Sequence, residues 1–417
     1  MDADTLADAW LSGDWTLAGM RSRTQRLIHP DRLSKSLASM ILGFWLELRD
    51  RPHERRRATL AAAITAHRAF FRIARTNTYG TVLDAPKMVP PPRAWDVLPL
   101  DTPATAGAWL GLTATDATWL TDPRGIARHY DRYWSGTRLI EAPRRRLKAA
   151  QRRIAAELLA AIPPHEAAHG FRRGRSVLSA VHPHAGREVL VVADLTAFFP
   201  SVRVSRVHAM FQRVGYPEEV ARFLTRMCTT RCRTLPKAEH EVTPGQAQLY
   251  RARHLPQGAP TSPALANLCA FHLDARLAGF ASSLGGTYTR YADDLIFSGP
   301  AVLGRGGFLA TVSTIAVEQG FRLNTAKSRV MRRSQCQLVL GMVVNEAPTL
   351  PRAQLELLEA ELFRCARRGP PVHHQHGVAW LRDHLAGRVA WAKHVNPRRA
   401  QRLVELLAAI DWSGAHS

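Results

Sequence analysis

The chain has 417 residues, 46% of them apolar, and a formal net charge of +23. That length suits two or three subdomains around sizeable cores, and the charge favours a polyanionic partner without naming an activity, since RNA-packing proteins share it. Five cysteines at this length form no disulfide framework, and the longest apolar stretches, such as Met40 to Trp45, are far too short to span a bilayer, so a disulfide-built scaffold and a helical membrane protein are excluded.

Arginine greatly outnumbers lysine, which suits bidentate phosphate contacts and stacking on bases. The opening Met-Asp-Ala-Asp has no basic n-region and no signal-peptide core, which predicts a cytoplasmic protein. Residues 1–83 read as a helical extension, with Leu33, Leu37, Met40, Ile41, Phe44, Trp45 and Leu48 at helical spacing. Its arginines, Arg55-Arg56-Arg57 among them, fit a solvated face or an RNA-binding layer. Residues 84–104 are proline-rich, with Pro90-Pro91-Pro92, and read as a linker. Trp109 to Asp122 reads as a small helical element.

From Asp122 to Arg187 there are 14 Lys/Arg against 5 Asp/Glu. Arg144-Arg145-Arg146, Lys148, Arg152 and Arg153 fall on a helix start and its following turns. Such density suits a phosphate-binding surface, with a charged solvent face as the plainer explanation.

Val189 to Leu195 is a short apolar run with β-branched residues that ends in one acid, Asp194. It reads as a buried central strand. Cys228 to Tyr250 has mixed polarity and reads as a variable excursion. Thr287 to Phe297 reads as a β-hairpin whose tip, Tyr291-Ala292-Asp293-Asp294, is acidic. Adjacent like charges are unfavourable to bury unless a cation sits between them, so this tip predicts a divalent-metal site. Asp194 lies 99 residues before Asp293, so only the fold can bring them together. Mg²⁺ takes one or two carboxylates plus substrate phosphates. Two such ions about 4 Å apart can activate a 3′-hydroxyl and steady a leaving pyrophosphate. An acid on a central strand beside an acidic hairpin is the layout a polymerase palm needs. From Pro351 on, helical periodicity returns through Leu355, Leu358, Leu362, Leu381, Leu385, Val389, Leu403 and Leu406. Cys365 with His373, His374 and His376 matches no structural zinc spacing, and Pro370-Pro371 interrupts it.

Several segments resemble those of one family. Asp194-Leu195-Thr196-Ala197-Phe198-Phe199-Pro200-Ser201-Val202 resembles its first palm motif, and Leu255 to Pro263, with Gln257-Gly258, its template and nucleotide loop. Tyr291 to Asp294 resembles the metal box, Gly320 to Lys327 the next helix-to-strand motif, and Gln337 to Asn345 the primer-grip hairpin. Gly136 to Pro143, Leu147 to Gln151 and His169 to Ser176 resemble the fingers. In this order and spacing, the chain from about residue 101 onward resembles a bacterial retron-type reverse transcriptase. Two elements depart from the retron pattern. Ala180-Val181-His182-Pro183-His184 stands where Asn-Ala-x-x-His is usual, and Val339-Leu340-Gly341 where Val-Thr-Gly is usual.

The resemblance implies an α+β right-hand polymerase. Residues 105–188 would be fingers and lead-in helices. Residues 189–345 would be a palm with an antiparallel sheet and a fingers excursion at about 203–262. Residues 346–417 would be a helical, RNA-binding thumb. It implies RNA-directed DNA synthesis with two Mg²⁺ ions, or Mn²⁺ as a substitute, held by Asp194, Asp293 and Asp294. Phe199 would select deoxynucleotides by crowding a 2′-hydroxyl. Gln257 and Gly258 would meet the nucleotide and template base, and Arg138 and Arg132 the triphosphate. Lys327 would meet the leaving pyrophosphate. Tyr291, Arg172, Arg175 and Gly341 would meet primer and template. Implied partners are dNTPs, a cognate structured non-coding RNA as template and primer, an RNA–DNA hybrid product and an effector protein, in anti-phage defence. The alternatives are another bacterial reverse transcriptase, a non-catalytic RNA-binding scaffold and an RNA-dependent RNA polymerase.

Overall fold

The computed structural model describes residues 97–371 and 377–412. The helical reading of 1–83, most of the 84–104 linker, and His373, His374 and His376 lie outside the described residues. In α1 (Pro103–Trp109) Thr102 and Thr105 form a reciprocal capping box, and Thr113 caps α2 (Ala114–Thr121). Gly111, at φ +72, turns the chain between them, and the small helical element expected from Trp109 to Asp122 is α2, preceded by a turn.

Strands β1 (Tyr130–Ser135) and β2 (Arg138–Pro143) pair antiparallel. Helix α3 (Arg145–Arg153) follows, burying Leu147, Ala150 and Gln151. Five of its six other residues carry charge, which sends that face to solvent. After α4 (Val177–Val181) comes the main sheet, formed by β3 (Val189–Leu195), β4 (Thr287–Tyr291), β5 (Asp294–Gly299) and β6 (Leu323–Arg332). Its order is β4-β5-β3-β6, and every pairing is antiparallel.

All seven residues of β3 are buried, which explains its unbroken apolar run. Val189, Val191, Ala193 and Leu195 face the larger core, while Leu190 and Val192 face a second one with Met331, Val339, Met342 and Val344. Fully burying one Val or Leu contributes about 1.5–3 kcal/mol. The five Val and Leu positions of β3 outweigh the cost of holding one acid, Asp194, at the strand's end.

Between β3 and β4 run α5 (Phe198–Ser201), α6 (Val204–Arg213), α7 (Glu218–Cys228), α8 (Pro244–Arg251), α9 (Ser262–Cys269) and α10 (Phe271–Ser283). The irregular stretch joining α7 to α8 lies within the Cys228–Tyr250 segment. Helix α11 (Gly306–Glu318) leads into β6. β7 (Leu338–Val339) and β8 (Met342–Val343) form a hairpin, turned at Leu340-Gly341 with φ +48 and +80. The C-terminal helices α12 (Arg352–Arg368), α13 (Val378–Val395) and α14 (Pro397–Ala408) build a separate core from Leu358, Leu362, Leu381, Leu385, Val389 and Leu403. The five cysteines are free thiols. No described helix is long and apolar enough to cross a membrane.

Candidate active site

Asp194, next to last in β3, stands directly opposite Asp294, the first residue of β5. Directly opposed residues of an antiparallel pair project from the same face with Cβ atoms about 4.5–5.5 Å apart. Asp293 occupies the turn between β4 and β5, and its carbonyl accepts from the Leu195 amide at 2.9 Å. The fold therefore brings together the three acids that the sequence separates. They line a cavity of about 440 Å³ with Arg138, Val192, Ala326, Lys327 and Arg329.

The basic side of this cavity comes from a break in the sheet. Val192 pairs with Arg329 but Asp194 pairs with Asn324, so residues 325–328 bulge out of the ladder. The bulge brings the Lys327 ammonium to 3.3 Å from Asp194 Oδ1. Lys327 is largely exposed, and such a pair contributes only about 0–1 kcal/mol, so it yields readily to an incoming cation or phosphate. Burial pushes the Asp293 carboxyl up from its ordinary range, and the nearby Asp194 charge adds to this. Burial, then the charges of Asp293 and Asp194, push Asp294 up to about 6. Three mutually repelling carboxylates in a half-open cavity suit a divalent cation. Among the described residues no group of three or more His, Cys, Asp or Glu side chains is placed to hold a metal ion by itself. A partial set is what a Mg²⁺ ion that shares its shell with substrate phosphates and water would use.

The turn is held by a buried network that the sequence reading missed. Arg290 is fully buried and donates bidentately to Asp274, Nε to Oδ1 at 2.7 Å and NH2 to Oδ2 at 2.6 Å. Its NH1 donates to Asn267 Oδ1 and to the carbonyl of Ala292, each at 2.9 Å. Tyr288 donates its hydroxyl to Asp274 at 2.8 Å. Ala292, at φ +55, sits in the left-handed region that costs a non-glycine residue about 1–2 kcal/mol. From the other side Gly170 packs so closely that a Cβ there would lie 2.5 Å from the Ala292 amide nitrogen. The sequence did hold a signal. Arg290 shares a strand face with Tyr288, and Asp274 sits beside Leu273 on the apolar side of α10, where a lone charge demands a partner.

On the nucleotide side, Phe198 is buried in the core, with the Arg290 guanidinium 5.4 Å from its ring. Phe199 is half-buried, its ring 5.6 Å from that of Phe198 and 6.0 Å from that of Phe171. The Glu141 amide donates to the Gln257 carbonyl at 2.7 Å, which pins the loop to β2. Gly258 has φ +118, a backbone that favours glycine, and a Cβ there would press on Ile140 Cγ2 at 3.3 Å. Arg138 opens β2 and reaches the acidic cavity.

Arg132 does not reach it. Its Nε donates to Glu141 at 2.8 Å, NH1 to the Ala127 carbonyl at 2.7 Å, and NH2 to Thr230 and the Arg231 carbonyl at 2.9 and 3.1 Å. Glu141 is fully buried and also meets His254 Nε2 at 2.6 Å. The expected triphosphate contact of Arg132 is thus corrected to a structural tie between the β1–β2 hairpin and the loop after α7. Arg172 and Arg175 are also engaged, both on Glu166, at 2.9 and 2.8 Å. Tyr291 closes the hairpin opposite Asp294. Gly341 supplies the second positive φ of the β7–β8 turn. His184 is a packing residue, fully buried between Ser298 Oγ at 2.7 Å and Thr289 Oγ1 at 2.8 Å. Burial holds its imidazole down to about 3, so it is neutral.

Comparison with known proteins places the chain in a family. The family model described as "Reverse transcriptase (RNA-dependent DNA polymerase)" matches residues 131–344. The chain is 40% identical over 293 residues to the retron Mx65 reverse transcriptase of Myxococcus xanthus, covering 67% of this chain and 65% of that protein. It is 32% identical over 360 residues to the retron Mx162 reverse transcriptase of the same organism, covering 79% and 71%. It is 27% identical over 276 residues to the retron Ec86 reverse transcriptase of Escherichia coli, covering 66% and 77%.

Proposed function

The chain belongs to the reverse transcriptase family, in its retron-type branch, and on that premise we propose that it synthesises DNA on an RNA template. The observation that carries this reading is the placement of Asp194 opposite Asp294, with Asp293 in the adjoining turn, in a cavity edged by Arg138 and Lys327. In this reading residues 105–188 serve as fingers, 189–345 as palm and 346–417 as thumb.

Asp194, Asp293 and Asp294 would hold two divalent ions, Mg²⁺ by preference. When bound, such ions supply a more acidic 3′-hydroxyl and neutralise charge on the leaving pyrophosphate. Arg138 stands exposed at the cavity mouth, where it can take the triphosphate oxygens as charge develops on them. Lys327 exchanges Asp194 for the departing phosphates. Phe199 forms an apolar floor under the sugar and crowds a 2′-hydroxyl. Gln257 and Gly258 offer a side-chain amide and a bare backbone to the nucleotide and its template base. Tyr291 packs against the primer end. The substrates are dNTPs, the product is an RNA–DNA hybrid, and the template is a cognate structured non-coding RNA that also primes, in an anti-phage system with an effector protein.

The test is primer extension by purified protein on an RNA template, with dNTPs and with NTPs. Wild type should incorporate deoxynucleotides by strong preference, and Asp293→Ala should lose on the order of 10³-fold or more in rate. Equal activity of the two proteins, or equal use of the two sugars, would refute the assignment.

A further inference from the structure

Phe171 combines three features that no packing requirement explains. Its backbone sits at φ +58, a genuine outlier for a bulky side chain. Its side chain is 50% exposed, so little apolar burial offsets that strain. Its ring lies 6.0 Å from that of Phe199, tilted by 41°.

The chain before it is tied to the acidic turn. Upstream, the Arg290 amide donates to the Ala167 carbonyl at 2.7 Å and the His169 amide to the Arg290 carbonyl at 2.8 Å. Asn267 Nδ2 donates to the Gly170 carbonyl at 2.8 Å, and Gly170 abuts the Ala292 turn. Downstream, Arg172 and Arg175 both pair with the exposed Glu166. Strain of this kind persists where the surroundings over-determine it, and it gathers at functional sites. Here the same backbone ties that strain Phe171 also fix it relative to the acidic turn.

We propose that Phe171 is a specificity-determining residue of this polymerase, the second wall of the pocket for the nucleotide sugar. Phe198 bounds one side of Phe199, and Phe171 bounds another. Phe171 therefore sets where the Phe199 ring stands, and its free face gives the incoming deoxynucleotide an apolar contact. The inference rests on the polymerase reading above.

The test measures kcat/KM for a dNTP and the matching NTP on one RNA template, for wild type, Phe171→Ala, Phe171→Gly, Phe171→Trp and Phe199→Ala. The ribo-to-deoxy ratio should rise about 10-fold or more in Phe171→Ala and Phe171→Gly, within the range a hydrophobic pocket can impose on one hydroxyl. Phe171→Trp should keep the wild-type ratio, and Phe171→Ala should add little in a Phe199→Ala background. Phe171→Gly should melt at or above the wild-type temperature, because glycine adopts the backbone without strain. An unchanged ratio in an active Phe171→Gly protein, or equal losses with both nucleotides, would overturn the inference and leave the polymerase reading standing. Absence of polymerisation by wild type would instead remove that reading, and this inference with it.

Discussion

Asp294 bears the heaviest electrostatic load of the three acids. Its carboxyl titrates near 6 in the folded protein, above the ordinary aspartate value of about 3.9. A carboxyl raised on folding binds more protons in the native than in the unfolded state. Stability therefore falls as pH rises from about 4 to 6. In metal-free protein, Asp294→Asn should melt above wild type at pH 7, and the gap should close towards pH 4. Thermal melts across that range check this, and a gap that is constant or widens on acidification would contradict it. Other single residues differ in how plainly the sequence shows their role. Asp194 is legible because it is an acid ending an apolar run, and Gly258 because a proline-flanked loop needs glycine freedom. Arg132 is not, because its partners Ala127, Glu141, Thr230 and Arg231 come from separate segments. The pairing of Arg172 and Arg175 was hidden for a related reason, since nothing local marks Glu166 as their shared acceptor.

Among the elements, the β4–β5 hairpin was foreseeable from its apolar flanks and acidic tip. What holds its turn was not. Arg290 and Asp274 lie on a strand and a helix, and only packing of α10 under β4 joins them. The pair also separates stability from positioning. Removing one partner of a buried ion pair costs about 3–5 kcal/mol, whereas apolar replacement of both is often neutral. Arg290→Leu should therefore lower the denaturant midpoint strongly. The combined Arg290→Met, Asp274→Leu protein should recover most of that stability but not the rate of primer extension, because the Ala292 carbonyl still lacks its donor. Full recovery of both would reduce the network to a packing device. The β6 bulge at 325–328 was also unreadable. The sequence marks Lys327, but the register shift that carries it to Asp194 appears only once β3 and β6 are paired.

Across the molecule, the apolar residues collect into cores that do not all coincide. One face of the main sheet packs on the helices between β3 and β4, and the other on β7, β8 and Val395 of α13. The C-terminal helices close on a core of their own. Helical periodicity after Pro351 made those helices legible, but not their separate core. Leu385 is fully buried there, and Leu385→Ala should cost about 2–5 kcal/mol. The loss should be local. Hydrogen exchange should accelerate across α12–α14, while the amides of β3 keep their protection. Equal acceleration in β3 would show a single cooperative unit. The net charge of +23 plays another part. It favours a polyanionic partner but names no chemistry, which the proposed function assigns to the small acidic cavity.

Whether Asp194 and Asp293 act as one site is decided by single-turnover primer extension in a double-mutant cycle. Asp194→Asn, Asp293→Asn and the combined protein are compared with wild type at saturating Mg²⁺. Groups serving one reaction centre are strongly non-additive. Each single change should cost on the order of 10³-fold, and the combined protein should lose little more. A near-normal rate in either single variant, or losses that multiply in the combined one, would mean the two acids do not share a catalytic centre.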